Sequence, residues 1–218
     1  RNEFSARGAG IRGFSMLGQN ITYALDDEMN LDLPSIRSFL QKHSGRPFFI
    51  FGFTFIVWQN FYKALLQQKQ PLNLSNAILI HGGGWKKLSE LSVSNDEFKA
   101  GLNDFFGIRK VHNYYGMVEQ TGSIFMECEE GHLHSSIFSD IFIRRSDLSV
   151  ARQRELGLVE LISLLPWSYP GHSILSEDIG EILGEDDCAC GRLGKYFQIH
   201  GRVANAEIRG CSDVTTTH

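Results

Sequence analysis

The sequence predicts an α/β protein in which a parallel-sheet subdomain is followed by a smaller β-rich subdomain. In the first part, short apolar runs typical of buried strands alternate with segments of helical period, and the strands end at glycine loops. After about residue 125 the helical period disappears, and short strand-like runs are separated by Gly, Pro and Asp. We therefore predict an α/β subdomain at 1–125, a β-rich subdomain at 126–205 and a mobile tail at 206–218.

The elements of the first part follow from local signals. Asp32 and Pro34 mark a helix start, since proline fits the first turn of a helix. Apolar residues spaced three and four apart continue that helix until Gly45, which is a typical stop. The elements predicted after it are a strand at 48–51, a helix at 55–66, a strand at 77–80, a helix from 94 to 102 and a strand at 110–115.

In the second part, the segments that are long enough to form a secondary-structure element are all strand-like. They are rich in Ile, Leu, Val and aromatic residues, which favour the pleated and half-buried surface of a sheet. The predicted strands lie at 137–144, 157–165, 179–183 and 196–199.

The composition excludes several classes of protein. The chain has 218 residues and a net charge of −4, which does not favour nucleic acid as a partner. Its longest apolar run, 47–58, is shorter than the roughly 20 residues that span a bilayer. The first residues contain no apolar segment of a secretory signal, and four cysteines then favour reduced thiols or metal ligands over disulfides. We expect a cytoplasmic protein without a membrane span.

Two glycine-containing segments are candidate ligand sites. Gly82, Gly83 and Gly84 follow a predicted buried strand, where free backbone N–H groups could face an anion or a base edge. The alternative is a tight turn that needs positive φ. In the segment 113–121, an aromatic residue, a glycine and a carboxylate lie within five residues at a strand end: Tyr115, Gly116 and Glu119. An aromatic face can stack on a purine, and a carboxylate can hold Mg²⁺.

The segment 113–121 resembles the Tyr-Gly-x-Thr-Glu motif of the adenylate-forming superfamily, which activates carboxylic acids with ATP. The resemblance implies that Gly82 to Gly84 border the adenine. The segment 176–180 is similar to the motif whose aspartate, here Asp178, binds the ribose hydroxyls. Gly201 and Arg202 are similar to the hinge motif, whose arginine helps to hold the ribose or phosphate. The implied fold is the second half of the large domain of these enzymes.

Within that superfamily the chain resembles the LuxE-type acyl-protein synthetases, relatives of the phenylacetate-CoA ligases. The resemblance rests on four segments: 81–87, 113–128, 168–173 and 209–213. It implies a ligase that uses ATP and Mg²⁺ to convert a long-chain fatty acid into an acyl-adenylate. It also implies transfer of the acyl group to a cysteine near the C-terminus, matched here by Cys211, from which a reductase partner takes it.

Cys211 is also the odd thiol of the sequence, and Arg209 lies two residues before it. A nearby cation favours the thiolate, which is the nucleophile that attack on an acyl carbonyl requires. The alternative is a tail cysteine without a role.

The other cysteines form a second candidate set. Three thiols and one imidazole make a closed tetrahedral zinc site, and the residues are Cys128, His134, Cys188 and Cys190. His132 competes with His134 for the fourth position. The alternative is a group of buried or exposed thiols. A zinc ion at this place would be structural.

Two departures from the family pattern matter. Val118 stands where the family has a threonine before the glutamate, and Gln120 or Thr121 are candidates to replace the lost hydroxyl. Residues 1–75 contain no Ser/Thr/Gly-rich phosphate loop, so we expect the C-terminal portion of a longer enzyme, inactive by itself. The alternatives are a fragment of an acyl-CoA or aryl-CoA ligase, and a non-catalytic interaction module held together by zinc.

Overall fold

The computed structural model describes residues 6–85, 92–120 and 122–203. These residues form two compact units, one that ends in sequence at Val111 and one that begins at His112. The two units differ in secondary structure, as the sequence predicts: the first combines helices with parallel strands, and the second contains antiparallel strands. The α/β fold class with its β-rich second part is therefore confirmed. The domain limits 1–125 and 126–205 stay predictions.

The first unit contains five α-helical segments and two parallel strands among its described residues. The helices are α1 (Ala6–Ser15), α2 (Leu33–Lys42), α3 (Thr54–Ile56), α4 (Ala64–Gln67) and α5 (Asn95–Phe106). The strands are β1 (Phe48–Phe53) and β2 (Ala77–Gly82), which pair in parallel from Phe48↔Ala77 to Phe53↔Gly82.

Helix starts in this unit follow the capping rules that the sequence suggests. Asp32 accepts a hydrogen bond from the Ser35 backbone N–H at 3.0 Å, and Ser94 accepts one from Glu97 at 3.1 Å. Gly107 ends α5 in the left-handed conformation with φ of 75°, which a residue with a side chain rarely adopts. The core beneath these elements is apolar and includes fully buried Leu65, Leu79, Leu102 and Ile108.

The segment between α3 and α4 is a π-helix, Val57–Lys63. The sequence predicts one helix over 55–66, and the structure has a helical run of nearly the same extent whose middle is more widely wound. Val57, Trp58 and Phe61 are buried there, so large aromatic side chains fill the core side of the wider turns. Helical periodicity in the sequence predicts that a helix forms here, but it does not reveal that the helix is wound as a π-helix.

Among its described residues, the second unit contains seven strands, and every neighbouring pair of them is antiparallel. Their order is β3-β4-β5-β9-β8-β7-β6. The bounds are β3 (Lys110–Tyr115), whose first residues belong to the first unit, β4 (Phe125–Glu127), β5 (Leu133–His134), β6 (Ser139–Arg144), β7 (Gly157–Ser163), β8 (Ser173–Glu185) and β9 (Lys195–Arg202). A 3₁₀ turn, Val118–Gln120, separates β3 from β4.

The core of the second unit is formed by the inward side chains of these strands. Phe125, Ile141, Val159, Leu161 and Phe197 are fully buried. β8 and β9 form a long hairpin in which Asp178 lies opposite Arg202 and Glu185 lies opposite Lys195. In the part of the chain that the structure describes, no helix is long and apolar enough to span a bilayer.

Candidate functional site

The glycine loop Gly82–Gly84 follows β2 directly. Gly82 is buried at the strand end, whereas Gly83 and Gly84 are exposed. Gly83 has φ of 76°, and a Cβ at this position would lie 3.2 Å from the Phe53 ring. The positive φ and the nearby Phe53 ring therefore both favour glycine at position 83, as expected for a residue in a tight turn. The exposed backbone of Gly84 remains accessible to a ligand.

His81 precedes the glycine loop and is held in the core of the first unit. Its Nδ1 lies 2.9 Å from the Thr54 Oγ1, and Thr54 donates to the Gly82 carbonyl at 3.2 Å. The His81 ring also packs on Phe98 with centroids 4.4 Å apart. Because the side chain is almost completely buried, its contacts position the start of the glycine loop.

Tyr115, Asp178 and Arg202 lie together in the second unit, and we call them the Tyr115 cluster. The Tyr115 hydroxyl donates to the Asp178 carboxylate at 2.5 Å. The Arg202 Nε lies 3.7 Å from the other carboxylate oxygen of Asp178. The fold thus brings a phenol on β3 to a carboxylate and a guanidinium on the β8–β9 hairpin, and Tyr115 and Asp178 are 63 residues apart in sequence.

The electrostatics of the Tyr115 cluster follow from burial and charge. Burial raises the pKa of the Tyr115 hydroxyl, and the negative charge of Asp178 raises it further. Tyr115 therefore stays a protonated hydrogen-bond donor through the physiological range. The Arg202 guanidinium also contacts the carboxylate of Glu177, so it balances two neighbouring negative charges. Glu177 is a partner that motif reasoning missed, although it lies directly beside Asp178.

The turn after Tyr115 carries the remaining residues of the segment 113–121, which include Gly116 and Glu119. Gly116 approaches the backbone so closely that a Cβ would lie 2.9 Å from the Ser123 carbonyl oxygen. Glu119 is exposed in the 3₁₀ turn, where its carboxylate is accessible to solvent. Val118 is also largely exposed.

The side chain of Gln120 is held inside the second unit by two hydrogen bonds. Its side-chain amide is fully buried and donates to the carbonyls of Leu161 and Gly171 at 3.2 and 2.9 Å. These bonds fix the 3₁₀ turn to β7 and to the loop before β8. In this conformation Gln120 does not replace the missing threonine hydroxyl at a phosphate. Thr121 lies outside the described residues.

A second group of side chains lies around two turns of the same unit, and we call it the cysteine cluster: Cys128, His134, Cys188 and Cys190. One ligand atom from each residue lies within 4.8 Å of all the others. The Sγ atoms of Cys128 and Cys188 are 4.0 Å apart, and the His134 Nε2 lies 3.5 Å from the Cys190 Sγ. Cys128, Cys188 and His134 are buried, and Cys190 is half-buried.

The environment of the cysteine cluster is apolar. Tyr196 packs against it, with its ring 5.7 Å from that of His134 and 5.0 Å from that of His132. Burial lowers the pKa of His134, which favours the neutral imidazole near pH 7. Burial raises the pKa of the Cys188 thiol to about 11. His132 points its Nδ1 at the Cys188 Sγ from 3.4 Å, so it borders the cluster.

The predicted acyl acceptor Cys211 and its neighbour Arg209 lie outside the described residues, as does the segment 86–91 after the glycine loop. The glycine loop belongs to the first unit, and the Tyr115 cluster, Glu119 and the cysteine cluster belong to the second.

A model of the acyl-protein synthetase family LuxE matches residues 20–218, which is most of the chain. The chain belongs to the LuxE acyl-protein synthetase family. The family predicted from the motifs is thereby confirmed. No protein among the curated sequences matches this LuxE-family chain significantly.

Solved structures with the same fold belong to the adenylate-forming superfamily. An open conformation of 2-hydroxyisobutyryl-CoA ligase, in complex with 2-HIB-AMP and CoA, has a TM-score of 0.61 and 17% identity, covering 81% of this chain and 41% of that chain. McyG A-PCP with phenylalanyl-adenylate has a TM-score of 0.51 and 16% identity, covering 77% and 32%. The amide bond synthetase McbA from Marinactinospora thermotolerans has a TM-score of 0.52 and 11% identity, covering 78% and 34%.

At these identities the likeness establishes the fold. The LuxE-family chain spans between 32 and 41% of the length of these three structures.

Proposed function

We propose that the chain is part of an acyl-protein synthetase, which activates a long-chain fatty acid with ATP and transfers the acyl group to its own Cys211. The observation that carries the proposal is the Tyr115 cluster. Its carboxylate and guanidinium lie side by side on paired strands, with Asp178 opposite Arg202. A carboxylate accepts hydrogen bonds from two hydroxyls, as a ribose offers, and a guanidinium binds phosphate oxygens.

Within this proposal, nucleotide binding changes the partners of existing groups. Asp178 now accepts from the Tyr115 hydroxyl and faces Arg202, and Arg202 also contacts Glu177. Ribose hydroxyls would bind Asp178, and the ribose or phosphate would bind Arg202. Tyr115 and the backbone of Gly116 would border the adenine.

Glu119 is the proposed ligand of Mg²⁺. Its carboxylate is exposed on a short 3₁₀ turn directly after the Tyr-Gly pair. Hard oxygen ligands suit Mg²⁺, which binds proteins through one or two carboxylates together with substrate phosphates. Bound there, Mg²⁺ would neutralise phosphate charge, and the part of Glu119 would be to hold the ion.

The proposed acyl transfer needs a thiolate and a leaving group. The Cys211 thiolate attacks the acyl carbonyl carbon, a C–S bond forms, and the C–O bond to the AMP phosphate breaks with its electron pair on AMP. The thiol proton goes to solvent when the thiolate forms, and Arg209, two residues earlier in sequence, favours that anion. The thioester is then the substrate of a reductase partner.

The test uses the full-length gene product with ATP, Mg²⁺ and a radiolabelled long-chain fatty acid. We expect a protein-bound label that hydroxylamine removes, as for a thioester. Cys211→Ser should abolish this label and leave fatty-acid-dependent ATP–pyrophosphate exchange intact, because adenylate formation precedes the transfer. Ser212→Ala, a change of the adjacent hydroxyl, is the matched control and should keep the label.

Three outcomes would contradict the proposal. A label that persists in Cys211→Ser would remove the acyl-acceptor role from this residue. Label found on CoA and never on the protein would indicate a CoA ligase, and the absence of any pyrophosphate exchange would indicate a non-catalytic module.

A further inference from the structure

We propose that the cysteine cluster is a closed tetrahedral Zn²⁺ site with a structural role. The site is independent of the acyl-transfer chemistry proposed above. It combines side chains from the β4–β5 turn, from β5 and from the β8–β9 turn, and its ligands are Cys128, His134, Cys188 and Cys190.

The distances between the ligand atoms fit a tetrahedral zinc ion. With Zn–S bonds of about 2.3 Å and Zn–N bonds of about 2.0 Å, tetrahedral ligand atoms are about 3.5 to 3.8 Å apart. The Cys190 Sγ and His134 Nε2 are 3.5 Å apart, and the Cys128 and Cys188 Sγ atoms are 4.0 Å apart. A disulfide needs sulfurs at about 2.05 Å, so these two cysteines are placed as co-ligands of one ion.

The donor types select the metal. Three sulfurs and one imidazole nitrogen form a soft set, which disfavours Mg²⁺ and Ca²⁺ because those ions take oxygen ligands. Four protein ligands leave no open position for water or substrate, and this distinguishes structural zinc sites from catalytic ones. Buried thiols beside an aromatic ring, with few hydrogen bonds available, gain partners when an ion is bound.

We assign His134 as the fourth ligand because a nitrogen of its ring lies within 4.8 Å of the sulfur atoms of all three cysteines. His132 does not belong to this group of four residues. His132 approaches only from the side of Cys188, at 3.4 Å. Its backbone carbonyl accepts from the Cys128 N–H at 2.8 Å, so His132 helps to close the turn that presents Cys128. The contribution of His132 to this turn therefore comes from its backbone, which a side-chain substitution leaves in place.

Both ligand-bearing turns are shaped for this task. Gly131 and Gly191 have φ of 79° and 78°, and each donates its N–H to the carbonyl of a cysteine three residues earlier, Cys128 and Cys188. The Arg192 N–H lies 3.5 Å from the Cys190 Sγ, an arrangement that favours a thiolate. The Arg192 side chain reaches across to Glu129 of the other turn at 3.3 Å.

The structural need for an ion lies in the strands that it joins. β4 has three residues and β5 has two, so neither provides much pairing on its own. An ion that links Cys128 to Cys188 ties these short strands to the long β8–β9 hairpin across 60 residues of sequence. Because the unfolded chain holds no preformed site, the free energy of metal binding stabilises the folded pairing of these strands.

The metal content of full-length protein purified under reducing conditions tests the site. We expect about one zinc per chain, lost in Cys188→Ser and in His134→Asn, because a structural site needs all four ligands. The matched controls are Cys211→Ser and His132→Asn, which should both retain the metal. Since ligand variants can fail to fold, wild-type protein exchanged with Co²⁺ gives a second readout, the intense visible absorption of tetrahedral cobalt–thiolate coordination.

Several results would overturn the assignment. They are zinc well below one per chain in wild-type protein, weak octahedral cobalt bands, or a disulfide between Cys128 and Cys188 by mass spectrometry. Zinc retained in His134→Asn and lost in His132→Asn would exclude His134 as the ligand. Zinc retained in Cys188→Ser would show that the metal binds elsewhere.

Discussion

The Tyr115 cluster and the cysteine cluster both use the β8–β9 hairpin, but they differ in the partners that their polar groups have. In the Tyr115 cluster, opposite charges and a hydroxyl already bind one another, and Arg202 is 43% exposed. In the cysteine cluster, three of the four side chains are buried, and their ligand atoms all lie within 4.8 Å of one another. Partners that exchange easily suit a substrate that comes and goes, whereas buried thiols suit an ion that stays.

The β8–β9 hairpin makes the comparison sharper. Asp178 and Arg202 lie opposite each other near one end of it, and the turn with Cys188 and Cys190 closes the other end. One pair of strands therefore carries a proposed nucleotide site and a proposed metal site. If the two sites act separately, a substitution in one site should leave the binding measured at the other site unchanged.

The largest expected effect is on stability and comes from metal removal. Taking zinc from the wild-type protein with a strong chelator under reducing conditions should lower the melting temperature by about 5 to 10 °C. Metal binding to such sites contributes folding free energy, and each kcal/mol shifts the melting temperature of a protein of this size by about 2–4 °C. Differential scanning calorimetry measures the shift.

The control for this experiment is Cys188→Ser, whose melting temperature should be low from the start and insensitive to the chelator. An unchanged melting temperature in protein shown by metal assay to have lost its zinc would leave the ion without a structural role.

A smaller effect, on ligand binding, is expected at the other cluster. Asp178→Asn removes the charge that would bind ribose hydroxyls and face Arg202. Losing hydrogen bonds to a charged group costs about 1.5–3 kcal/mol, so the KM for ATP in pyrophosphate exchange should rise about 10- to 150-fold. Metal content should not change, since Asp178 is not in the cysteine cluster.

The matched control is Glu177→Gln, at the neighbouring residue. Glu177 also contacts Arg202, but its side chain is 55% exposed, and surface pairs of this kind contribute little. We expect its KM for ATP to stay within about threefold of the wild-type value. Equal effects of the two substitutions would argue that the acidic pair acts on Arg202 and that Asp178 does not itself bind the nucleotide.

The sequence predicts these two sites with different completeness. Asp178 and Arg202 are found from short motifs, but the contacts of Asp178 with Arg202 and with Tyr115 depend on the pairing of β8 with β9 and on tertiary packing. The four members of the cysteine cluster are predicted from residue type and spacing, and the choice between His132 and His134 needs ring positions. Short-range patterns locate the chemistry, and the geometry comes from long-range pairing.

The fold shows the same division. Strands β1 and β2 are predicted because they contain continuous apolar or aromatic runs, and β3 is predicted because Val111, Tyr114 and Tyr115 lie in a short run that ends at a glycine. Helix α1 is not predicted, since its sequence contains Gly8, Gly10 and Gly13, which disfavour helix. Its Phe14 stacks on Phe51 with centroids 4.1 Å apart, a tertiary contact that offsets this weak propensity.

A further prediction concerns the hydrogen bond within the Tyr115 cluster. Tyr115→Phe removes the hydroxyl that donates to Asp178 and keeps the ring, which packs edge-on against Phe197 at 6.3 Å. We expect the free energy of unfolding at neutral pH to fall by about 1 kcal/mol, as for a typical hydrogen bond. Urea unfolding measures it, and zinc content should stay at the wild-type level.

The smallest effect is the pH dependence of that difference. The pKa of Tyr115 is raised in the folded protein above its ordinary value near 10, chiefly by burial and then by Asp178. Above about pH 10 the unfolded chain has released this proton while the folded chain keeps it, so stability falls by up to about 1.4 kcal/mol per pH unit. Below about pH 10 both states are protonated and the stabilisation is fully present.

The difference in unfolding free energy between wild type and Tyr115→Phe should therefore be constant from about pH 7 to pH 9 and nearly vanish by about pH 11. Other tyrosines and the thiols titrate in both proteins, so their contributions cancel in the difference. A difference that stays constant through pH 11 would mean that Tyr115 titrates normally, which would contradict the buried contact with Asp178. The cysteine cluster offers the complementary check, because Cys188→Ser should leave the pH at which the Tyr115 contribution disappears unchanged if the two clusters act separately.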